Sequence, residues 1–228
     1  TGATTVSAGM LCVDGSTASG SAVSVSTGAT LGGGVGTTFG TINGTLGVTG
    51  TLSPGQSYGS TGTAILKAGA TTFNAGSTFS VDLNGTTAGS GYDQLDLTSA
   101  NLTLTGSPTL SISLASGFTP TINSTYTIIK TAGTVTGTFS GLADGATFLA
   151  SGTTFRINYI SGTGVVLTAP GATVSVAVAS SSSTTTYGSS VTFTATVTTS
   201  GVTPTGTVTF LDGATTMTSG VTLSGSGT

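Results

Sequence analysis

Between Thr4 and Pro54 the chain alternates aliphatic residues with Thr and Ser in short units closed by glycine. Val23-Ser24-Val25 has the period of two that places successive side chains on opposite faces of a strand. Thr27-Gly28-Ala29-Thr30-Leu31-Gly32 and Gly36-Thr37-Thr38-Phe39-Gly40-Thr41-Ile42-Asn43-Gly44 continue the pattern, and Thr45 to Gly55 closes it. Short strands joined by tight glycine turns, with no helical periodicity between them, predict a coil of parallel strands. In such a β-solenoid each rung pairs with the next at about 4.8 Å. Inward positions must be small or aliphatic, outward ones can be Thr or Ser, and Gly supplies the positive-φ corners. Residues 101–168 carry longer strands and the aromatic residues Phe118, Tyr126, Phe139, Phe148, Phe155 and Tyr159. They predict a wider closing end, where larger side chains cover the last rung. A boundary falls at Ala169-Pro170-Gly171. Beyond it Thr173 to Val178 reads as a strand, Ser190 to Thr198 as a strictly alternating one, and Thr203 to Gly213 as a third ending in an Asp-Gly turn. The expected domains are therefore residues 1–169 and 171–228, in an all-β chain.

Composition narrows the chemistry. The 228 residues include three cations, six acids and no histidine, for a net charge of −3. There is no glutamate and no tryptophan, and Thr makes up about a quarter of the chain. Helix formers are scarce, and a β-branched residue dominates. Three scattered cations, Lys67, Lys130 and Arg156, cannot neutralise a phosphate backbone, so no nucleic-acid partner is expected. Apolar runs such as Gly164-Val165-Val166-Leu167 are too short for a membrane-spanning helix. With 36% hydrophobic residues the chain does not read as disordered. It opens at Thr1 without Met and reads as a mature or trimmed product. Cys12 is the single cysteine, which excludes an intrachain disulfide or a cysteine zinc site. It reads first as a small apolar side chain, and alternatively as an intermolecular attachment point. Low Lys, Arg and Cys with high Thr, Ser and Gly point to an extracellular bacterial surface.

Two stretches resemble known families. Gly44 to Gly55 (GTLGVTGTLSPG), Ala75 to Gly85, Tyr92-Asp93-Gln94-Leu95-Asp96-Leu97, Tyr126 to Ile129, Gly137 to Leu142 and Thr154 to Tyr159 are, taken in order, similar to the passenger-associated strand repeat of bacterial autotransporters. The resemblance covers roughly residues 15–168 and implies a right-handed β-helix exposed outside the cell. The outer-membrane barrel usual in that family is not expected here, since no amphipathic strands of about ten residues with aromatic girdles occur. Tyr187 to Val197 and Pro204 to Gly213 are similar to the bacterial Ig-like repeat, with its VTFTATV and PTGTVTF segments. An Ig-like sandwich uses about seven strands in about 100 residues. The 58 residues after Pro170 hold four or five. The fold expected is a right-handed parallel β-solenoid followed by a partial Ig-like β-sandwich, its missing strands supplied either by a continuation of the protein or by a partner strand such as one from a neighbouring copy.

Candidate chemistry is sparse. Asp93 and Asp96 are the only close carboxylate pair. At i and i+3 on a strand they face opposite ways, which suits turn bonds better than acid–base catalysis, a calcium site or a glycosidase pair. Asp14-Gly15, Asp144-Gly145 and Asp212-Gly213 read as turns. Gly32-Gly33-Gly34 with Gly36 mimics a phosphate loop, but no Lys or helix follows. Without His, a Ser-His-Asp triad is impossible. Lys130 and Arg156 read as solvated or paired with nearby acids. Asn43, Asn84, Asn101 and Asn123 lie in glycosylation sequons that chance explains in so Thr-rich a chain. A Lys–Asn isopeptide bond is excluded in residues 171–228, which hold no Lys.

No catalytic, cofactor-binding or metal-binding residue is expected, and the chain is not expected to be an enzyme. The reading these features favour is an extracellular, cell-surface structural protein whose partner is a further copy of itself, joined by strand completion into a filament or sheath. The alternative is the stalk or glycan-binding module of an adhesin, with Tyr58, Tyr92 and Tyr187 exposed to stack on cell-surface sugars.

Overall fold

The computed structural model describes residues 2–34, 39–56, 62–171, 174–199 and 204–223. These form strands and turns without any helix. The chain divides into two compact units, Thr1–Pro170 and Gly171–Thr228.

The first unit is a coil that visits three sheets in turn. Its first rung holds β1 (Thr4–Val6) and β2 (Met10–Cys12), and its second β3 (Val23–Val25), β4 (Thr30–Gly33) and β5 (Gly40–Ile42). The third holds β6 (Leu46–Val48), β7 (Thr51–Pro54) and β8 (Ile65–Ala68). The fourth is β9 (Thr71–Phe73), β10 (Thr78–Leu83) and β11 (Gln94–Asp96). The fifth is β12 (Leu102–Leu104), β13 (Thr109–Leu114) and β14 (Thr125–Lys130), after which β15 (Val135–Thr136) begins another. The first sheet runs β1-β3-β6-β9-β12-β15 and the second β2-β4-β7-β10-β13, with every pair parallel. The third begins β5-β8-β11-β14, also parallel, so the architecture is a stack of parallel rungs of the β-solenoid kind.

Register turns the sequence alternation into columns of side chains. Val25, Val48, Phe73 and Leu104 line up across the first sheet, and all are buried. Leu31, Leu52 and Phe79 do the same in the second sheet, and Leu66, Leu95 and Ile129 in the third. The rungs widen along the chain. Paired positions are 19 residues apart at Thr4 and Val23 but 33 apart at Leu102 and Val135. Side-chain size follows, since Val and Leu fill the narrow rungs while Phe73, Phe79 and Phe139 fill the wider ones with ring centroids 5.5 to 6.4 Å apart. At the narrow end backbone replaces side chain. Gly33, at φ 131°, and Gly40 lie against the Val13 carbonyl, where any Cβ would collide.

The wide end is closed by a change of strand direction. β16 (Thr147–Ala150), β17 (Thr153–Ile160) and β18 (Gly164–Thr168) extend the third sheet in the order β14-β18-β17-β16, all antiparallel. Tyr126, Phe139 and Phe155 are fully buried there, with Phe118, Phe148 and Tyr159 packed against the core.

The second unit holds two antiparallel pairs. β19 (Val174–Ser180) pairs with β20 (Phe193–Thr199), and β21 (Thr207–Asp212) with β22 (Thr215–Thr222). Among the described residues these remain separate two-stranded sheets.

Candidate functional site

The segment from Tyr92 to Asp96, which holds the only close carboxylate pair, is a structural junction. Asp93 is fully buried, its Oδ1 accepting from the Ala64 amide and its Oδ2 from the Asp82 amide, each at 2.9 Å. It ties the fourth rung to the end of the loop that precedes β8. Burial pushes its carboxyl up to about 8, against the two amide bonds that favour the charged form. Gln94 donates through Nε2 to the Thr127 carbonyl at 2.7 Å, at the register shift between Thr127 and Ile129. Asp96 accepts from the Thr98 amide at 2.8 Å and from Lys130 Nζ at 3.2 Å. Both carboxylates thus make turn and rung contacts.

Tyr92 corrects an expectation. It is 6% exposed and packs edge-on against Tyr126 at 5.4 Å, so it offers no face to a sugar. Its neighbours on the next rung, which no local pattern encodes, cover it. Tyr187 is fully exposed, while Tyr58 lies outside the described residues, as do Gly36 to Thr38. Of the cations, Lys130 pairs with Asp96, Lys67 sits 4.4 Å over the Phe39 ring, and Arg156 is exposed. Asp144 accepts from the Tyr159 amide at 2.9 Å and Asn158 Nδ2 at 3.2 Å, while Gly145 turns the chain at φ 76°. Cys12 is half-buried with Sγ 3.7 Å from the Gln56 carbonyl. Among the described residues no three His, Cys, Asp or Glu side chains gather in a group able to hold a metal ion.

The feature without an internal structural role lies in the second unit. In β19 and β20, Val176 is opposite Val197, Val178 opposite Ala195 and Ser180 opposite Phe193. Residues directly opposite in an antiparallel pair share a face. That face is apolar from Val176 to Val178 and across to Phe193, with Ser180 and Thr199 at its ends, while Ser175, Ala177, Ala179, Thr194, Thr196 and Thr198 occupy the other. On the second pair, Val208, Phe210, Leu211 and Met217 are apolar. Val176, Val178, Phe193, Val208, Phe210, Leu211 and Met217 line a common cleft of about 470 Å³ together with the polar Thr209 and Asp212. Val174, Val176 and Val178 are 64%, 56% and 61% exposed. Among the described residues every fully buried hydrophobic side chain lies between Val6 and Ala169, so the second unit has none. Asp212 is the single charge in residues 171–228, so little Coulomb repulsion opposes contact there. The valine alternation is legible in the sequence, but which of its faces is left open is not. No protein-family model matches the chain, and no curated protein matches it.

Proposed function

We propose that the chain is an extracellular structural protein of a bacterial surface, built to assemble with copies of itself. In this proposal the coil of residues 1–169 is right-handed, like the autotransporter passenger repeats its sequence resembles, and serves as a rigid body. Residues 171–228 are the joint, an Ig-like half sandwich whose apolar cleft receives a strand from a second copy. Repetition of that contact gives a filament or sheath, and the chain works by shape rather than catalysis.

The observation that carries the proposal is the open cleft between two hairpins that bury no side chain completely. An isolated two-stranded hairpin is marginal in water, and a sheet needs a third strand or a covering layer to be stable. An incoming strand gains main-chain hydrogen bonds from an edge and fills the cleft with alternate side chains. A monomer leaving three valines of one strand more than half exposed has an unmet driving force of about 25 cal/mol per Å² of apolar surface.

Sedimentation velocity across a concentration series tests this, with Val178→Lys as the probe. The wild-type chain should form larger species as concentration rises. Val178→Lys, which places an ammonium in the cleft, should remove every species larger than a dimer while leaving the far-UV signal of the coil intact. A wild-type chain that stays monomeric at every concentration contradicts strand completion.

A further inference from the structure

β13 (Thr109–Leu114) ends the second sheet: among the described residues it is hydrogen-bonded to β10 on one side, while on the other β16 lies near it without pairing and Ser140 donates its amide to the Pro108 carbonyl at 2.8 Å, which leaves the middle of the edge unpaired. Its open side can be read from the amides. Thr109 donates to the Ser77 carbonyl at 2.8 Å and Ala115 to that of Leu83 at 3.0 Å, so the odd-numbered amides face β10. The amides of Leu110, Ile112 and Leu114 therefore point to the open side. Leu114 meets Ser151 Oγ there at 3.4 Å, at the turn between β16 and β17. The edge at Leu110 and Ile112 lacks the devices that usually guard one: it holds no charge, no proline and no bulge. Leu110, Ile112 and Leu114 are also only half-buried, whereas their partners Phe79, Val81 and Leu83 on β10 are fully buried. Like the cleft, this edge is incomplete, but it is internal to the first unit.

The sequence of the edge fits its own copy. Turned antiparallel about Ser111, Leu110 comes opposite the partner's Ile112, and Ile112 opposite the partner's Leu110. Both are the residues whose N–H and C=O groups face outward, so each pair exchanges two hydrogen bonds. The apolar side chains meet on one face. Ser111 meets the partner's Ser111, and Thr109 the partner's Ser113, on the other. The pairing ends at Thr109 and Ser113, because Leu114 keeps its bond to Ser151 and Pro108 its bond to Ser140 on the same side. No like charges meet, and a twofold contact of this kind closes on itself.

We infer that β13 is a second self-association surface, which joins two copies of the chain through a twofold antiparallel pair centred on Ser111. It uses none of the cleft residues and goes beyond strand completion in the second unit, so either contact can fail without the other. If both operate, the cleft contact extends an assembly and the β13 contact ties two such assemblies side by side.

A single cysteine tests it. Ser111 does not face the open edge with its amide, so the Ser111 pair is a non-hydrogen-bonded one, with Cα atoms about 4.5 Å apart. That lies within the ~4.4–6.8 Å a disulfide spans. In the full chain carrying Cys12→Ala, Ser111→Cys should form a disulfide-linked dimer on mild oxidation, reversed by a reductant. Ser113→Cys in the same background should stay uncrosslinked, because it sits opposite the partner's Thr109. Both serines are exposed, so neither change disturbs the core. Failure of Ser111→Cys to crosslink while its circular dichroism matches the parent overturns the inference. So does crosslinking of Ser113→Cys as fast as Ser111→Cys, which would mark random collision or another register.

Discussion

Asp93 shows how much a single polar side chain can hold in a chain with nine charges. Its two oxygens take amides from Ala64 and Asp82, bringing separate segments to one buried point. Asn supplies one acceptor oxygen in place of two, so Asp93→Asn should lower stability by about 1–3 kcal/mol, read from chemical denaturation. The acid also sets a pH dependence. An unfolded Asp titrates near 3.9, and burial raises the folded value to about 8. A raised value means the folded state holds the proton more tightly. The stabilising contribution is therefore complete below about pH 4 and is lost as pH rises through about 8. Melting temperature should fall between those limits in the wild-type chain, and the slope should flatten in Asp93→Asn. The sequence favoured turn bonds for this acid over catalysis. It could not show that the bonds come from Ala64, 29 residues away, because that contact exists only once the rungs stack.

At the scale of elements, two strand glycines make opposite predictions. Gly47 lies on the outer face of β6, in a column with Ser24, Thr72 and Thr103, and a Cβ there meets nothing within 4 Å. Gly47→Thr should raise stability by about 0.4–1 kcal/mol, since a strand glycine costs entropy and offers nothing to pack. Gly32, on β4, faces the Gln56 carbonyl so closely that no Cβ fits, and Gly32→Ala should destabilise the second rung. Thermal melts of the two variants check the pair. In the widest rungs, Phe79→Ala should cost about 3–5 kcal/mol, because Phe79 is fully buried between Phe73 and Phe139. Much of the coil was legible in the sequence because its period of two maps directly onto buried and exposed positions, as in Val23-Ser24-Val25. The direction of the closing strands was not. Thr153 to Thr168 reads as strand either way, and only pairing of Tyr126 with Leu167 and of Ile157 with Leu167 makes it antiparallel. Tyr92 failed for a related reason, since the rings that cover it sit on other rungs.

For the whole molecule, the two units differ in how far they satisfy themselves. The coil buries a continuous core from Val6 to Ala169, while the hairpins beyond Pro170 leave their apolar faces lining an open cleft. Alternation predicted the hairpin strands, but alternation alone does not say whether the apolar face meets a partner in the same chain, a second copy or solvent. The proposed self-association rests on the exposed valines, the single charge and the unpaired middle of the β13 edge. Negative-stain electron microscopy of the purified full chain over a range of concentrations measures it most directly. Regular filaments or sheets that lengthen with concentration, and that are lost in Val178→Lys, are the predicted result. Separate short particles at every concentration, the same in wild type and variant, would contradict it.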